Sequence, residues 1–65
     1  MKSDLIDLTV HRHAETDKAI RVSDDGDDQR AVWLPKTLCE IDPTKRPNIV
    51  IVTMPEWLAA EKGLI

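Results

Sequence analysis

The chain has 65 residues, a length that allows one hydrophobic core and therefore a single domain, residues 1–65. Apolar residues make up 42% of it, more than a disordered segment of high charge carries, so a folded protein is expected. Cys39 is the only cysteine, which excludes an internal disulfide and favours a reducing compartment such as the cytoplasm. The sequence has no apolar run long enough to span a membrane and does not start like a signal peptide, so neither membrane insertion nor export is expected.

The net charge of −3 is unevenly distributed along the chain. Residues 1–28 contain eight acidic and four basic residues, a net charge of −4, whereas residues 29–65 contain four acidic and five basic residues, a net charge of +1. The front half therefore favours contact with basic partners and repels nucleic acid.

The first half of the chain reads as three strands. Alternation of Ile6, Leu8 and Val10 with polar residues predicts a half-buried strand over residues 5–12. Residues 13–17 lack periodicity and predict a turn, which joins this strand to a second one at residues 18–23 in a hairpin. An Asp-Gly pair in residues 24–28 suits a tight connection. A third strand at residues 31–34 ends at a proline, which cannot extend a central ladder.

The second half predicts further strands and a helix. Residues 36–37 form a turn, residues 38–41 form a short strand or a single helical turn, and residues 42–48, with two prolines, form a solvated loop. The continuous β-branched run at residues 49–52 predicts a strand buried on both faces in the middle of the sheet. Pro55 suits the start of a helix and Gly63 its end, so a helix at residues 55–62 is expected to dock on the sheet. The predicted fold class is α+β: a small antiparallel sheet of four to five strands with one short C-terminal helix packed on it.

The catalytic and metal-binding inventory is thin. There is no Gly-rich phosphate loop and no Gly-x-Ser-x-Gly motif, and a chain of this size encloses little volume, so we predict that it is not an enzyme. His11 and His13 alternate on the first strand and, with Cys39, would supply three zinc ligands, but the paired cysteine spacing of zinc sites is missing. The cluster at residues 24–28 lacks the spacing and closing glutamate of a calcium loop. We therefore predict no metal and no cofactor.

Carboxylates flank the second strand at both ends. Since the strand spans roughly 20 Å and duplex DNA carries a charge about every 1.7 Å, these groups could occupy a groove lined with lysine and arginine for phosphates. An acidic turn that only keeps the chain soluble is the alternative. Trp33 is expected to pack in the core beside Trp57 beneath the helix; if exposed, it is an anchor for a partner. The predicted partner-binding residues are Glu15, Asp17, Asp24, Asp25, Asp27, Asp28 and Trp33.

Two strings in the second half resemble a small domain of bacteriophage and prophage proteins. Residues 31–36 read AVWLPK and residues 52–64 read VTMPEWLAAEKGL, similar to the family pattern VWLPKS followed by VTVPEWLAxEKGL. The chain departs from that pattern at Thr37, where the family has serine, and at Met54. The resemblance covers roughly the last half of the chain and implies a phage setting, without an established activity.

A small, acidic phage protein without catalytic residues looks like an anti-CRISPR inhibitor, a class with members that occupy DNA-binding grooves of Cas complexes. The resemblance in type implies a phage-encoded, non-catalytic inhibitor that binds a host protein, such as a DNA-binding Cas subunit, in the host cytoplasm through an acidic, DNA-mimicking surface. We expect a monomer that does not itself bind nucleic acid.

The first alternative is an accessory module of phage replication that contacts nucleic acid or a partner protein through its basic second half. The second is a subunit that completes a larger assembly through a sheet edge. The basic residues of the first alternative are Arg30, Lys36, Lys45 and Arg46.

Overall fold

The computed structural model describes residues 4–65, which form five strands followed by a short helix. The strands are β1 (Leu5–Glu15), β2 (Ala19–Ser23), β3 (Val32–Pro35), β4 (Glu40–Pro43) and β5 (Ile49–Pro55), and the helix is α1 (Glu56–Glu61). Short 3-10 helices at Asp28–Arg30 and Lys36–Leu38 lie in two of the connections. The prediction of a small α+β fold with a C-terminal helix is confirmed.

The strands form one antiparallel sheet in the order β3-β2-β1-β5-β4. β1 is central because its first half pairs with β5 and its second half pairs with β2. The β1–β2 register shifts between Arg12 and Ala14, which leaves His13 as the extra residue of a β-bulge. This bulge breaks the alternation of the sequence, and for that reason the turn predicted from residue 13 was wrong: β1 continues to Glu15.

The helix packs on one face of the sheet, chiefly against β5, and completes the core there. Leu58 and Ala59 of α1 are buried against that face. Along β5, buried residues alternate with half-buried ones, so only every second side chain enters the core. The prediction that this β-branched run is buried on both faces was therefore wrong, although β5 does lie between two neighbouring strands. The buried apolar residues are Val10, Ile20, Val22, Leu34, Val50, Val52, Met54, Leu58, Ala59 and Leu64.

The connection between β3 and β4 forces the sheet to coil. The two strands lie at opposite ends of the strand order, about 19 Å apart on a flat sheet, and the end of β3 lies roughly 30 Å from the start of β4 along the direction of β1. The five Cα steps from Pro35 to Glu40 span at most about 18 Å, and less here because three of the residues form a 3-10 helix. A flat sheet cannot be closed by this link, so the sheet wraps around its core.

The second face of the sheet, which we call the open face, lies on the side away from the helix. Trp33 belongs to it, because the neighbouring Leu34 is fully buried on the helix side and alternate side chains point to opposite faces. Trp57 is 58% exposed, since Leu58 and Ala59 take the core-facing positions of the short helix. The prediction that the two tryptophans pack together in the core was therefore wrong, and Trp33 is 44% exposed.

Candidate protein-binding surface

The acidic loop, Asp24–Asp28, is held in one conformation by its own polar groups. The Gly26 N–H donates to the hydroxyl of Ser23 at 2.9 Å, and the Asp27 N–H donates to the carboxylate of Asp25 at 2.9 Å. Gly26 has a φ of +83°, a conformation that side chains disfavour. The backbone of the loop is therefore held at Gly26 and at Asp27.

A chain of polar contacts, centred on the buried Ser23, ties this loop to the bulge in β1. Nε2 of His13 lies 2.7 Å from the hydroxyl of Ser23, which is fully buried. Because that hydroxyl also accepts the Gly26 N–H, its hydrogen is free to be donated to His13. Nδ1 of His13 then lies 3.4 Å from the carboxylate of Asp28. The loop is thus fastened to β1 through the one residue that the bulge adds.

Ser23, His13 and Asp28 are the residue types of a hydrolase triad, and their order of contact is similar. A nucleophile must reach its substrate, however, and the Ser23 hydroxyl is fully buried at the end of β2. The nearby Gly26 N–H, which would have to stabilise an oxyanion, already points at the serine oxygen. The arrangement orients the loop and offers no nucleophile to solvent.

Arg21 joins the acidic loop to the exposed tryptophan. Its guanidinium donates to the carboxylate of Asp28 and, at 2.7 Å, to the carbonyl of the same residue. Arg21 also lies directly opposite Trp33 in the β2–β3 register, where facing side chains are close enough to touch. The loop and Trp33 therefore form one continuous surface on the open face.

The remaining carboxylates of the loop differ in their partners. Asp24 forms no side-chain hydrogen bond or ion pair with residues 4–65, whereas Asp27 accepts the N–H of Gln29 and so caps a 3-10 helix. Asp25 lies 3.6 Å from Arg30, and the hydrogen bond from the Asp27 N–H, with Arg30 as a lesser cause, lowers the pKa of the Asp25 carboxyl. With two of its four carboxylates paired to arginines, the loop keeps a net negative charge.

Glu15 and Asp17 are not part of this surface. Glu15 lies opposite Ile20, whose side chain enters the core, so it projects from the opposite face to Trp33. Its carboxylate binds Lys36 and Arg12, and the hydrogen bond from Lys36 is the main reason why the pKa of Glu15 is lowered. Asp17 lies in the exposed β1–β2 turn. The carboxylates predicted at the two ends of β2 therefore do not form one surface. At the end away from the acidic loop, the charge of Glu15 is neutralised by Lys36 and Arg12.

The three proposed zinc ligands do not converge. The ring of His11 packs against Gly26, where a Cβ would lie 3.5 Å away, while His13 binds Ser23. Cys39 lines a shallow pocket with Leu5 at another part of the sheet, and burial raises the pKa of its thiol. Residues 4–65 contain no group of three or more histidine, cysteine, aspartate or glutamate side chains placed to hold a metal ion.

The network around Ser23 could hardly be predicted from the sequence. His13 falls in a stretch without periodicity, and only a bulge brings it over the end of β2. A serine that follows the buried Val22 at a strand end was the one available hint. The pairing of Arg21 with both Asp28 and Trp33 was likewise invisible until the register was known.

Within the described part of the chain, no helix has the length and apolar character needed to cross a membrane. Comparison of the chain with protein-family models, curated proteins and solved structures finds no match. The phage resemblance of residues 31–36 and 52–64 thus remains a prediction from the sequence, and the functional argument depends on the surface itself.

Proposed function

We propose that this chain is a non-catalytic inhibitor, encoded by phage, that binds a nucleic-acid-handling host complex such as a Cas effector through its acidic loop and Trp33. The observation that supports the proposal most is that Asp28 of the ordered loop binds Arg21, which lies directly opposite the exposed Trp33 in the strand register. Fixed carboxylates beside an exposed tryptophan suit a groove that is built for phosphates and has an apolar rim.

The order of the loop favours binding because less conformational entropy is lost on association. Its backbone is held by Ser23 and by Asp25, and its far end by two further turns, in which Arg30 and Ala31 donate to the carbonyls of Asp27 and Asp28. Carboxylates on a rigid loop also select a partner by the spacing of its cations. The contact should therefore weaken as salt is added.

The proposed surface is narrower than an acid-lined strand. Glu15 is paired with Lys36 on the other face, and Lys18 follows Asp17 in the turn, so carboxylates do not run the whole length of β2. We therefore assign the contact to the loop end of β2 and to Trp33. The DNA-mimicking surface is then limited to the acidic loop. Other residues of the chain would have to contact the remainder of the partner's groove.

The alternative, an accessory replication module that touches nucleic acid through basic residues, has less support. Lys36 and Arg30 are engaged by Glu15 and Asp25. Lys45 and Arg46 lie in the exposed β4–β5 loop and form no ion pair within residues 4–65. With two of the four basic residues of this alternative paired to carboxylates, weak phosphate binding is expected.

The test is a phage-plating assay in hosts that carry active CRISPR systems of several types, with the chain expressed from a plasmid. Wild type should restore plating in at least one system, and the double variant Asp24→Lys, Trp33→Ala should lose this effect, because it changes the surface without touching the bonds that fix the loop. Glu61→Lys on the helix is the matched control, with the same charge change on the exposed side of α1.

Two results would contradict the proposal. If the wild-type chain restores plating in none of the systems, a Cas complex is not its target. If the double variant keeps full activity, the acidic loop and Trp33 are not the binding surface. Salt-sensitive binding of the purified chain to labelled DNA, lost in Lys45→Ala, Arg46→Ala, would instead support the replication module.

A further inference from the structure

Among residues 4–65, no strand lies beside one edge of the first half of β1. The Arg12 N–H donates to Asn48 and the Asp4 carbonyl accepts from Glu56, both on the β5 side. Since successive residues of a strand point their backbone groups to opposite edges, the even-numbered residues of β1 face β5 up to Arg12. The backbone N–H and C=O groups of residues 5, 7 and 9 therefore point to the opposite edge of β1.

Nothing in the described chain pairs with those groups. β2 ends at Ser23, which is level with His11, and the chain then turns over the open face toward the ring of His11. No strand pairing or loop hydrogen bond formed by residues 4–65 reaches the outward backbone groups of Leu5, Asp7 and Thr9. We call this stretch the free edge.

Burial across the β1–β5 pairs supports the same conclusion. Ile6 lies opposite Met54 and Leu8 lies opposite Val52 on the core face. Both β5 residues are fully buried, whereas both β1 residues are only half-buried and pack at the rim of the core. A further strand beside β1 would cover the side of these residues that is open to water, and Leu5, 57% exposed, would be covered with it.

The outer edges of β3 and β4 are protected in the usual ways. Each of these strands has four residues and ends in a proline, and β4 also carries two carboxylates. The free edge has no proline and no lysine, and its one charged side chain is Asp7. Of these three edges, the free edge of β1 is therefore the most suitable for pairing with an added strand.

We propose that the free edge of β1 binds an extended segment of a partner protein by strand addition, and that this segment alternates apolar residues with lysine or arginine. Its apolar side chains would cover Ile6 and Leu8, and its basic side chains would face Asp7 on the open face. This binding does not involve the acidic loop. It specifies which sheet edge would take part in an assembly and which residue types the partner strand would carry.

A second copy of this chain is a poor occupant. Residues 4–9 contain Asp4 and Asp7 and no cation. In any antiparallel register that pairs at least two residues of the free edge with a second copy, the two Asp7 side chains lie directly opposite or diagonal to each other. A basic strand removes this repulsion and replaces it with attraction.

The test uses two capped peptides, Thr-Val-Lys-Val-Lys-Val-Thr and its counterpart with glutamate in place of lysine, titrated into the 15N-labelled chain. The basic peptide should shift the amide signals of residues 5–9, slow the exchange of the Asp7 and Thr9 amides, and bind roughly fivefold more tightly than the acidic one. Asp7→Lys should reverse this preference. Asp42→Lys, with the same charge change on β4, should leave it unchanged.

Thr9→Pro tests the backbone contact separately. The Thr9 N–H points to the free edge, so proline there removes no bond to β5 but should weaken peptide binding by at least about tenfold. If this variant does not fold, the reversal in Asp7→Lys decides alone.

Absence of saturable binding at millimolar peptide, or equal binding by folded Thr9→Pro, would overturn the proposal. A dimer of the peptide-free chain in sedimentation, lost in Thr9→Pro, would assign the edge to a second copy instead. Asp24→Lys should not affect peptide binding, so failure here is distinguishable from failure of the inhibitor proposal.

Discussion

The hydroxyl of Ser23 lies 2.7 Å from Nε2 of His13, which joins the end of β2 to the bulge of β1. Because Ser23 is fully buried, this bond has no competition from water. The same hydroxyl accepts the Gly26 N–H, so one side chain holds both the bulge and the start of the acidic loop.

Ser23→Ala should therefore lower the free energy of unfolding by about 1–3 kcal/mol, since it leaves the Gly26 N–H and His13 without a partner. Urea denaturation followed by tryptophan fluorescence measures the change. Asp24→Ala, next in the chain and without a side-chain partner within residues 4–65, is the control and should cost less than about 0.5 kcal/mol. Equal costs for the two variants would mean that the network adds no stability.

The two glycines allow a matched test of backbone strain. Gly26 and Gly63 have φ values of +83° and +76°. An alanine Cβ would be in ordinary contact with the His11 ring at position 26 and in open space at position 63. We expect Gly26→Ala and Gly63→Ala each to lower the free energy of unfolding by about 1 kcal/mol, because the cost comes from the backbone in both cases. A much larger loss at Gly26 in the same denaturation assay would indicate that the loop cannot move away from His11.

The sequence predicted the number and type of elements well and the bounds of β2, β3 and α1 to within one residue, but the ends of β1, β4 and β5 poorly. Alternation along residues 5–12 and the Pro55 to Gly63 signals identified β1 and α1, since each depends on local periodicity or backbone chemistry. The bulge at His13 could not be predicted, because a bulge depends on the pairing of two strands. The placement of Arg21 opposite Trp33 depends on register in the same way.

The same limitation explains the error over Trp33. Size and hydrophobicity favour burial of tryptophan, but in the four-residue strand β3 the core face is occupied by Leu34 and, at the rim of the core, by Val32. The open face then receives Trp33 by alternation. The acidic residues were identified correctly as exposed, yet the pairing of Glu15 with Lys36 needed the fold.

Exchanging the neighbours Trp33 and Leu34 for alanine separates surface from core. Leu34→Ala should lower the free energy of unfolding by about 2–5 kcal/mol, because it opens a cavity in the core. Trp33→Ala removes a side chain that is 44% exposed and should cost less than about 1 kcal/mol. Thermal denaturation by circular dichroism measures both, and a larger loss for Trp33→Ala would place that ring in the core after all.

Acid should weaken the fold through Glu15 and Asp25. The pKa of each carboxyl is lowered in the folded chain, from 4.5 for Glu15 and 3.8 for Asp25, so each stabilises the fold above its ordinary pKa and loses this effect as pH falls through the lowered one. We expect the difference in stability between wild type and either Glu15→Gln or Asp25→Asn to be present at neutral pH and to vanish in strong acid. Denaturation at a series of pH values measures it, and an effect that grows with acid would contradict the assignment.

Salt should distinguish the two carboxyls. Glu15 depends chiefly on a hydrogen bond from the cation Lys36, whereas Asp25 depends first on a backbone N–H. At about 1 M salt the Debye length falls to about 3 Å, so the stabilisation at Glu15 should shrink more than that at Asp25.

Hydrogen exchange should reveal the free edge without any ligand. The amides of Leu8 and Val10 bond to β5, whereas those of Asp7 and Thr9 point to the edge that no strand of the described chain covers. Exchange along β1 should therefore alternate, with Asp7 and Thr9 on the order of a hundredfold faster than Leu8 and Val10, because only the latter need the sheet to open. Amide exchange followed by NMR resolves each residue, and on β5 the residues that face β4 supply the control, since both edges of β5 are paired. Uniform protection from Leu5 to Val10 would mean that the edge is covered in solution. Alternation along β1 without alternation along β5 would establish that the backbone groups needed for strand addition are accessible before a partner arrives.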